Sequence, residues 1–188
     1  MKYDITIYGN PALRKKCRKI KTITAEVRQL AVDMLETMYA GNGIGLAAQQ
    51  VGRTEALVVL DIPLMTGSGE VRPVESEPAV KMPVVLINPV IVESEGSATC
   101  EEGCLSFPGF YVPVKRAETV RATFLDLDGV AHDIRVNGLF ARAIQHELDH
   151  LNGKLLVDRM AAERKLELAD DLKRLRESGL QQAEATAS

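Results

Sequence analysis

His146-Glu147-Leu148-Asp149-His150 holds two of the chain's three histidines and decides how the rest is read. Imidazoles four residues apart leave a helix on one face, one turn above the other, and so can grip a single metal ion. The glutamate between them travels on the same turn and can reach a water at that metal without being a ligand itself. The chain around the motif fits a helix. Leu139, Ala143, Leu148 and Leu151 are among its apolar positions, Asn137-Gly138 opens the segment and Asn152-Gly153 closes it.

Working outward, Val120–Phe124 alternates, Asp128-Gly129 signals a turn and Ile134-Arg135-Val136 returns, which predicts a hairpin. Ala56–Asp61 and Val84–Val92 are β-branched runs, the second interrupted by Asn88-Pro89. Between them Pro63–Pro83, with four prolines and Gly67-Ser68-Gly69, reads as a surface excursion of some mobility. Towards the N-terminus, Val27, Leu30, Ala31, Met34, Leu35 and Met38 predict an amphipathic helix that Thr24 caps and Gly41–Gly43 stops. Its methionines are core residues on this reading. The basic run from Arg14 to Lys21 carries no interleaved aromatics and reads as solvated surface. After Met160 a charged helix with a narrow Leu168, Leu172, Leu175 stripe is expected to end at Ser178-Gly179. These elements describe an α+β fold: short antiparallel or mixed strands around a central H-E-x-x-H helix, with an N-terminal and a C-terminal helix. One catalytic domain over residues 1–180 and a frayed tail over 181–188 complete the expectation.

Composition narrows the function classes. A net charge of −3 and a pI near 5.7 leave no global basic field, so sequence-specific nucleic-acid binding is not expected. No run of eighteen apolar residues appears, so no membrane span is expected. Three cysteines and a start without a secretory leader point to a reducing, cytoplasmic setting; an organellar protein stripped of its leader would read the same way.

Two histidines leave a catalytic metal site short of a third protein ligand. Downstream the candidates are Glu163 and Glu167, which also read as a solvated helix face. Upstream, Glu101–Ser106 forms a loop flanked by Gly103 and Pro108, and Cys104 there offers a thiolate suited to Zn²⁺ or Fe²⁺. Cys17 and Cys100 read as small buried hydrophobes. Gly43-Ile44-Gly45 followed by Leu46–Gln50 supplies small residues that let a second backbone approach closely.

Taken in order, Gly43–Gln50, Glu102–Ser106 and Gln145–His150 resemble the three motifs of the peptide deformylase family. The similarity continues through Asn10-Pro11, Glu36–Tyr39, Ile87–Pro89, Gly153 and Asp158. The resemblance implies an enzyme that removes the formyl group from the N-terminal formyl-methionine of nascent polypeptides and releases formate. It further implies one divalent metal on Cys104, His146 and His150, natively Fe²⁺ with Zn²⁺ or other ions as alternatives. Glu147 would act as general base and then acid on a metal-activated water, and the Gln50 amide and the Leu105 N–H would stabilise the oxyanion. Gln49 adjoins Gln50, and motif alignment selects the latter. The peptide would lie as an added strand beside Gly43, Ile44 and Gly45, with its methionine side chain near Ile44, Leu139, Ala143 and His146. Some relatives carry an arginine for the peptide where this chain has Gly109-Phe110-Tyr111. A transient ribosome contact through Lys165, Lys173, Arg174 and Arg176 competes with a plain solvated face. Two further readings stand beside deformylation: a zinc endopeptidase using Glu163 or Glu167, and a non-catalytic binding module whose metal is closed off by Cys100.

Overall fold

The computed structural model describes residues 1–62, 80–187 and a short strand at 75–77. Among the described residues, eight strands form two antiparallel sheets. The larger runs β1 (Gly45–Ala47), β2 (Leu57–Leu60), β4 (Val84–Glu95), β7 (Thr119–Leu125), β8 (Ala131–Asn137) and β3 (Glu75–Glu77) in that spatial order. The smaller pairs β5 (Ala98–Gly103) with β6 (Tyr111–Arg116). The expected α+β architecture is therefore present, and among the described residues the pairings within both sheets are antiparallel.

β2 shows how the large sheet is sandwiched. All four of its residues are buried, yet alternate side chains serve different cores. Val58 and Leu60 meet Phe140, Ala141, Ile144 and Leu151 of helix α2 (Gly138–Leu151). Leu57 and Val59 meet Leu30, Ala31, Met34 and Met38 of helix α1 (Ala25–Ala40) on the opposite face. Thr24 caps α1 by accepting a hydrogen bond from the Val27 N–H, as its sequence predicts. A third cluster joins Leu13, Phe107, Val112, Val114, Leu155, Leu156 and Leu172, and binds the small sheet to the C-terminal elements.

Several expectations need correction. Cys100 is exposed on β5 rather than buried. The segment read as a loop from Glu101 is strand as far as Gly103, so only Cys104 onward belongs to the connection between β5 and β6. Of the Pro63–Pro83 excursion, residues 75–77 form strand β3, which pairs antiparallel with β8; its expected mobility falls on residues outside those described.

The single helix expected after Met160 is instead two, α4 (Ala162–Glu167) and α5 (Ala169–Ala187), and a short α3 (Leu156–Arg159) precedes them. α5 does not stop at Ser178-Gly179, and 181–187 continue it rather than fray. Tertiary packing overrides the local stop signal. A Cβ at Gly179 would stand 2.2 Å from the Tyr8 carbonyl oxygen, so glycine lets the helix lie directly on the N-terminal segment. One turn on, Gln182 donates to the Ile5 carbonyl at 2.8 Å and accepts from the Ile7 N–H at 2.9 Å. No helix among the described residues is long and apolar enough to cross a membrane.

Candidate metal centre

α2 delivers His146, Glu147 and His150 to one point because its opposite stripe is anchored in the core. Gln145 fixes the helix in register: its amide donates to the Ala117 carbonyl and accepts from the Ala117 N–H, both at 3.0 Å. Cys104 enters from the small sheet, immediately after β5. Its Sγ lies 3.3 Å from His150 Nε2, and one donor atom each from Cys104, His146 and His150 lies within 4.8 Å of the others. Ligands about 2.3 Å (sulfur) and 2.1 Å (nitrogen) from a tetrahedral ion are separated by about 3.6 Å, so the donor set and its spacing suit Zn²⁺ or Fe²⁺.

Behind the donors lies a buried ionic network. His146 Nδ1 donates to Glu102 Oε2 at 3.0 Å, which turns the other ring nitrogen towards the centre. Glu102 also accepts from Arg116 at 2.7 and 2.9 Å and from Arg142 at 2.7 Å. Arg116 extends to Asp149 Oδ2 at 2.8 Å, and Arg159 grips the same carboxylate at 2.8 Å. The network thus ties the H-E-x-x-H helix to the small sheet and to α3.

Charge follows from this geometry. Burial alone would push Glu102 up, but His146 and Arg116 outweigh it and hold its carboxyl at about 2. Burial likewise opposes ionisation of Cys104, yet His150 and His146 hold its thiol down at about 5. The two imidazoles thus favour the thiolate form over the thiol. Glu147 behaves in the opposite sense. Burial pushes its carboxyl up, and Oε2 has no hydrogen-bond partner among the described residues. A buried carboxyl oxygen without a partner, beside two histidines, makes Glu147 a candidate functional group.

The cavity in front of this group measures about 550 Å³. Gly43, Ile44, Gly45, Leu139 and Ala143 line it together with Gln50, Cys104, Leu105, His146 and Glu147; of the residues selected from sequence only His150, buried behind Cys104, is not part of that lining. Gln50 sits in a short 3₁₀ turn after β1. Its Oε1 accepts from the Ala47 N–H at 2.9 Å, which directs Nε2 towards Cys104 Sγ at 3.5 Å and Ser106 Oγ at 3.2 Å. Its neighbour Gln49 is fully buried, and its side-chain amide has no hydrogen-bond partner among the described residues. Glu163, Glu167 and Cys100 are exposed and lie outside the metal-capable group.

Gly45 has a specific steric duty. A Cβ there would stand 2.5 Å from Glu147 Oε1 and 2.9 Å from Leu60 Cδ2. Leu60 is core and cannot retreat, so Gly45→Ala is expected to displace the Glu147 carboxylate. The expected result is a kcat loss of about 10²-fold, the scale of a misplaced catalytic group, with an unfolding midpoint close to the parent. Steady-state kinetics beside a urea melt checks it; unchanged kcat would show that Glu147 can shift at no cost.

Sequence reading missed Arg116, Arg142 and Arg159, as well as the role of Glu102 as partner of His146. One signal for Arg116 was available. Along β6 it alternates with Val112 and Val114 on the buried face, and an arginine on such a face requires carboxylate partners.

The sequence profile described as polypeptide deformylase matches residues 2–166. A peptide deformylase of Endomicrobium trichonymphae is 40% identical over 178 residues, covering 95% of this chain and 98% of that one. One from Alkalilimnicola ehrlichii is 42% identical over 176 residues, covering 94% and 92%. Among solved structures, the peptide deformylase of Synechococcus elongatus in complex with actinonin superposes with a TM-score of 0.79 at 41% identity, covering 92% of this chain and 88% of that one. That of Ehrlichia chaffeensis superposes with a TM-score of 0.83 at 29% identity, covering 96% and 99%.

Proposed function

The chain belongs to the polypeptide deformylase family, an enzyme that removes the formyl group from N-terminal formyl-methionine, and we propose that Cys104, His146 and His150 hold its metal while Glu147 moves the proton. The observation that carries this is the convergence of the three donors on one point, with Glu147 lining the cavity beside Cys104 and His146 and its Oε2 without a partner among the described residues. When bound, a divalent ion supplies a Lewis acid that polarises the formyl oxygen and acidifies water.

The side chains of this chain do the rest. Glu147 accepts the proton of the attacking water as the new C–O bond forms, and returns it to the nitrogen as the C–N bond breaks, leaving formate and a free amine. A raised carboxyl pKa brings its proton affinity nearer that of the groups it serves. Gln50 Nε2 and the Leu105 backbone N–H donate to the oxyanion that develops at the former formyl oxygen. The peptide backbone would lie along β1 beside Gly43, Ile44 and Gly45, which line the cavity. Ile44, Leu139 and Ala143 give the methionine side chain an apolar pocket.

Fe²⁺ is the ion we assign, with Zn²⁺ chemically acceptable, since one thiolate and two imidazoles suit both. The reading puts the enzyme in the cytoplasm, where new chains emerge, and three free thiols accord with a reducing setting. A passing contact with the ribosome through Lys173 and Arg176, both exposed on α5, belongs to the same proposal.

Gln50→Ala tests the oxyanion assignment. The expected outcome is a kcat lower by about 10²- to 10³-fold at retained metal content, the usual cost of one oxyanion donor. A variant with parental kcat would remove Gln50 from the reaction.

A further inference from the structure

Beside the catalytic cavity lies a second hollow of about 500 Å³. The two share a wall: Gly109, Phe110 and Tyr111 line both. The far side of the second hollow comes from α4 and α5, through Arg164, Leu168, Asp171, Arg174, Leu175 and Ser178. We propose that this hollow receives the stretch of the substrate polypeptide downstream of its formyl-methionine, and that it favours an apolar side chain there. The proposal rests on the deformylase reading, because a substrate that enters the catalytic cavity by its N-terminus must carry the remainder of its chain out across the rim.

Three features of that rim support the path. Gly109 has φ +80°, and nothing stands within 4 Å of where its Cβ would be, so a backbone can cross it closely. Tyr111 is 67% exposed between the two spaces. Its ring is seated against Gly103, its register partner across β5 and β6, where a Cβ would come within 2.8 Å of the ring. An exposed aromatic ring held in place from below is a ready surface for a passing peptide, because little side-chain freedom is lost on contact.

The chemistry of the hollow selects its occupant. Phe110, Leu168 and Leu175 form an apolar floor that continues into the core cluster of Leu13, Phe107 and Val112. The charges at its edge are balanced internally, with Arg174 bonded to Asp171 and Arg164 to Glu167 at 2.8 Å. The edge therefore gives little reason to prefer an acidic or a basic peptide, whereas the floor rewards apolar burial. One well-buried apolar side chain corresponds to roughly a tenfold gain in affinity or more.

The test compares formate release by the metal-loaded enzyme from three substrates: a formyl-Met tripeptide, a nonapeptide with leucines downstream and a nonapeptide with serines there. The expected result is a kcat/KM about tenfold higher for the leucine nonapeptide than for the other two, carried by KM and not by kcat. Ser178→Trp, which fills the hollow from an exposed position on α5, is expected to abolish the ratio between leucine nonapeptide and tripeptide. Leu168→Ala, which lowers the floor, is expected to reduce it. Equal kcat/KM for all three substrates, a gain shared by the serine nonapeptide, or a gain that survives both substitutions would overturn the proposal. Formate from none of the substrates would overturn it for a different reason, by removing the deformylase reading beneath it.

Discussion

Glu147→Gln is expected to lower kcat for formate release by at least about 10³-fold while the protein keeps its metal and its fold. General acid–base catalysis is worth about 10²–10⁴-fold, and Glu147 is assigned both halves of the proton transfer. Glutamine preserves the shape that Gly45 and Leu60 accommodate, but it cannot accept the proton of water. The effect on stability has the opposite sign from an ordinary core substitution. Burial disfavours the Glu147 carboxylate and Oε2 has no partner among the described residues, so removing the charge is expected to leave the unfolding midpoint unchanged or higher. Kinetics, metal analysis and a urea melt on the same sample read all three. A variant that turns over at the parental rate would sink the assignment, and one that loses its metal would make Glu147 a ligand instead.

Arg116→Ala is expected to be the most destabilising single change, at about 3–5 kcal/mol, the range for removing one partner of a buried ion pair. Arg116 is almost wholly buried and holds Glu102 through two hydrogen bonds and Asp149 through a third. Its loss strands charge on both the small sheet and α2. Acid makes the same point from the other side. Glu102 is held at about 2 in the folded protein, against 4.5 for an ordinary glutamate. Its depressed value contributes stability that is fully present above pH 4.5 and disappears as the pH falls towards 2. Arg116→Ala should therefore narrow the stability difference between pH 7 and pH 3 relative to the parent. Urea melts of chelator-treated protein at the two pH values separate this from metal loss. An unchanged pH 7 midpoint would show that Arg142 and His146 alone suffice for Glu102.

The elements that could be read from sequence were those in which local pattern and tertiary role agree. α1, α2 and the β7–β8 hairpin carry both their periodicity and their end signals, and each buries one clean face. β5 and β6 were missed because they lack that agreement. On β5 only Glu102 is buried, so no apolar alternation marks it, and Pro113 interrupts β6. The end of α5 was misread because Ser178-Gly179 signals a stop locally, whereas packing against Tyr8 makes glycine a requirement inside the helix.

The same logic divides the candidate site. His146, Glu147 and His150 announce themselves by spacing on one helix. Cys104 and Gln50 come from distant segments, and their relevance emerged through the joint resemblance of three motifs. Arg116 and Arg159 lie outside those motifs. Their part is visible only once β6 and α3 stand beside Asp149, a juxtaposition no local pattern encodes.

The central claim is that Cys104, with His146 and His150, holds the metal on which deformylation depends. The most direct measurement is metal content per chain, with formate release from a formyl-Met peptide, for the parent and Cys104→Ala purified without oxygen. The account predicts about one Fe²⁺ or other divalent ion per parental chain, activity that a chelator removes and added metal restores, and loss of both metal and activity in Cys104→Ala. Full metal content and full turnover in Cys104→Ala would contradict it, and would return the third ligand to the exposed glutamates of α4.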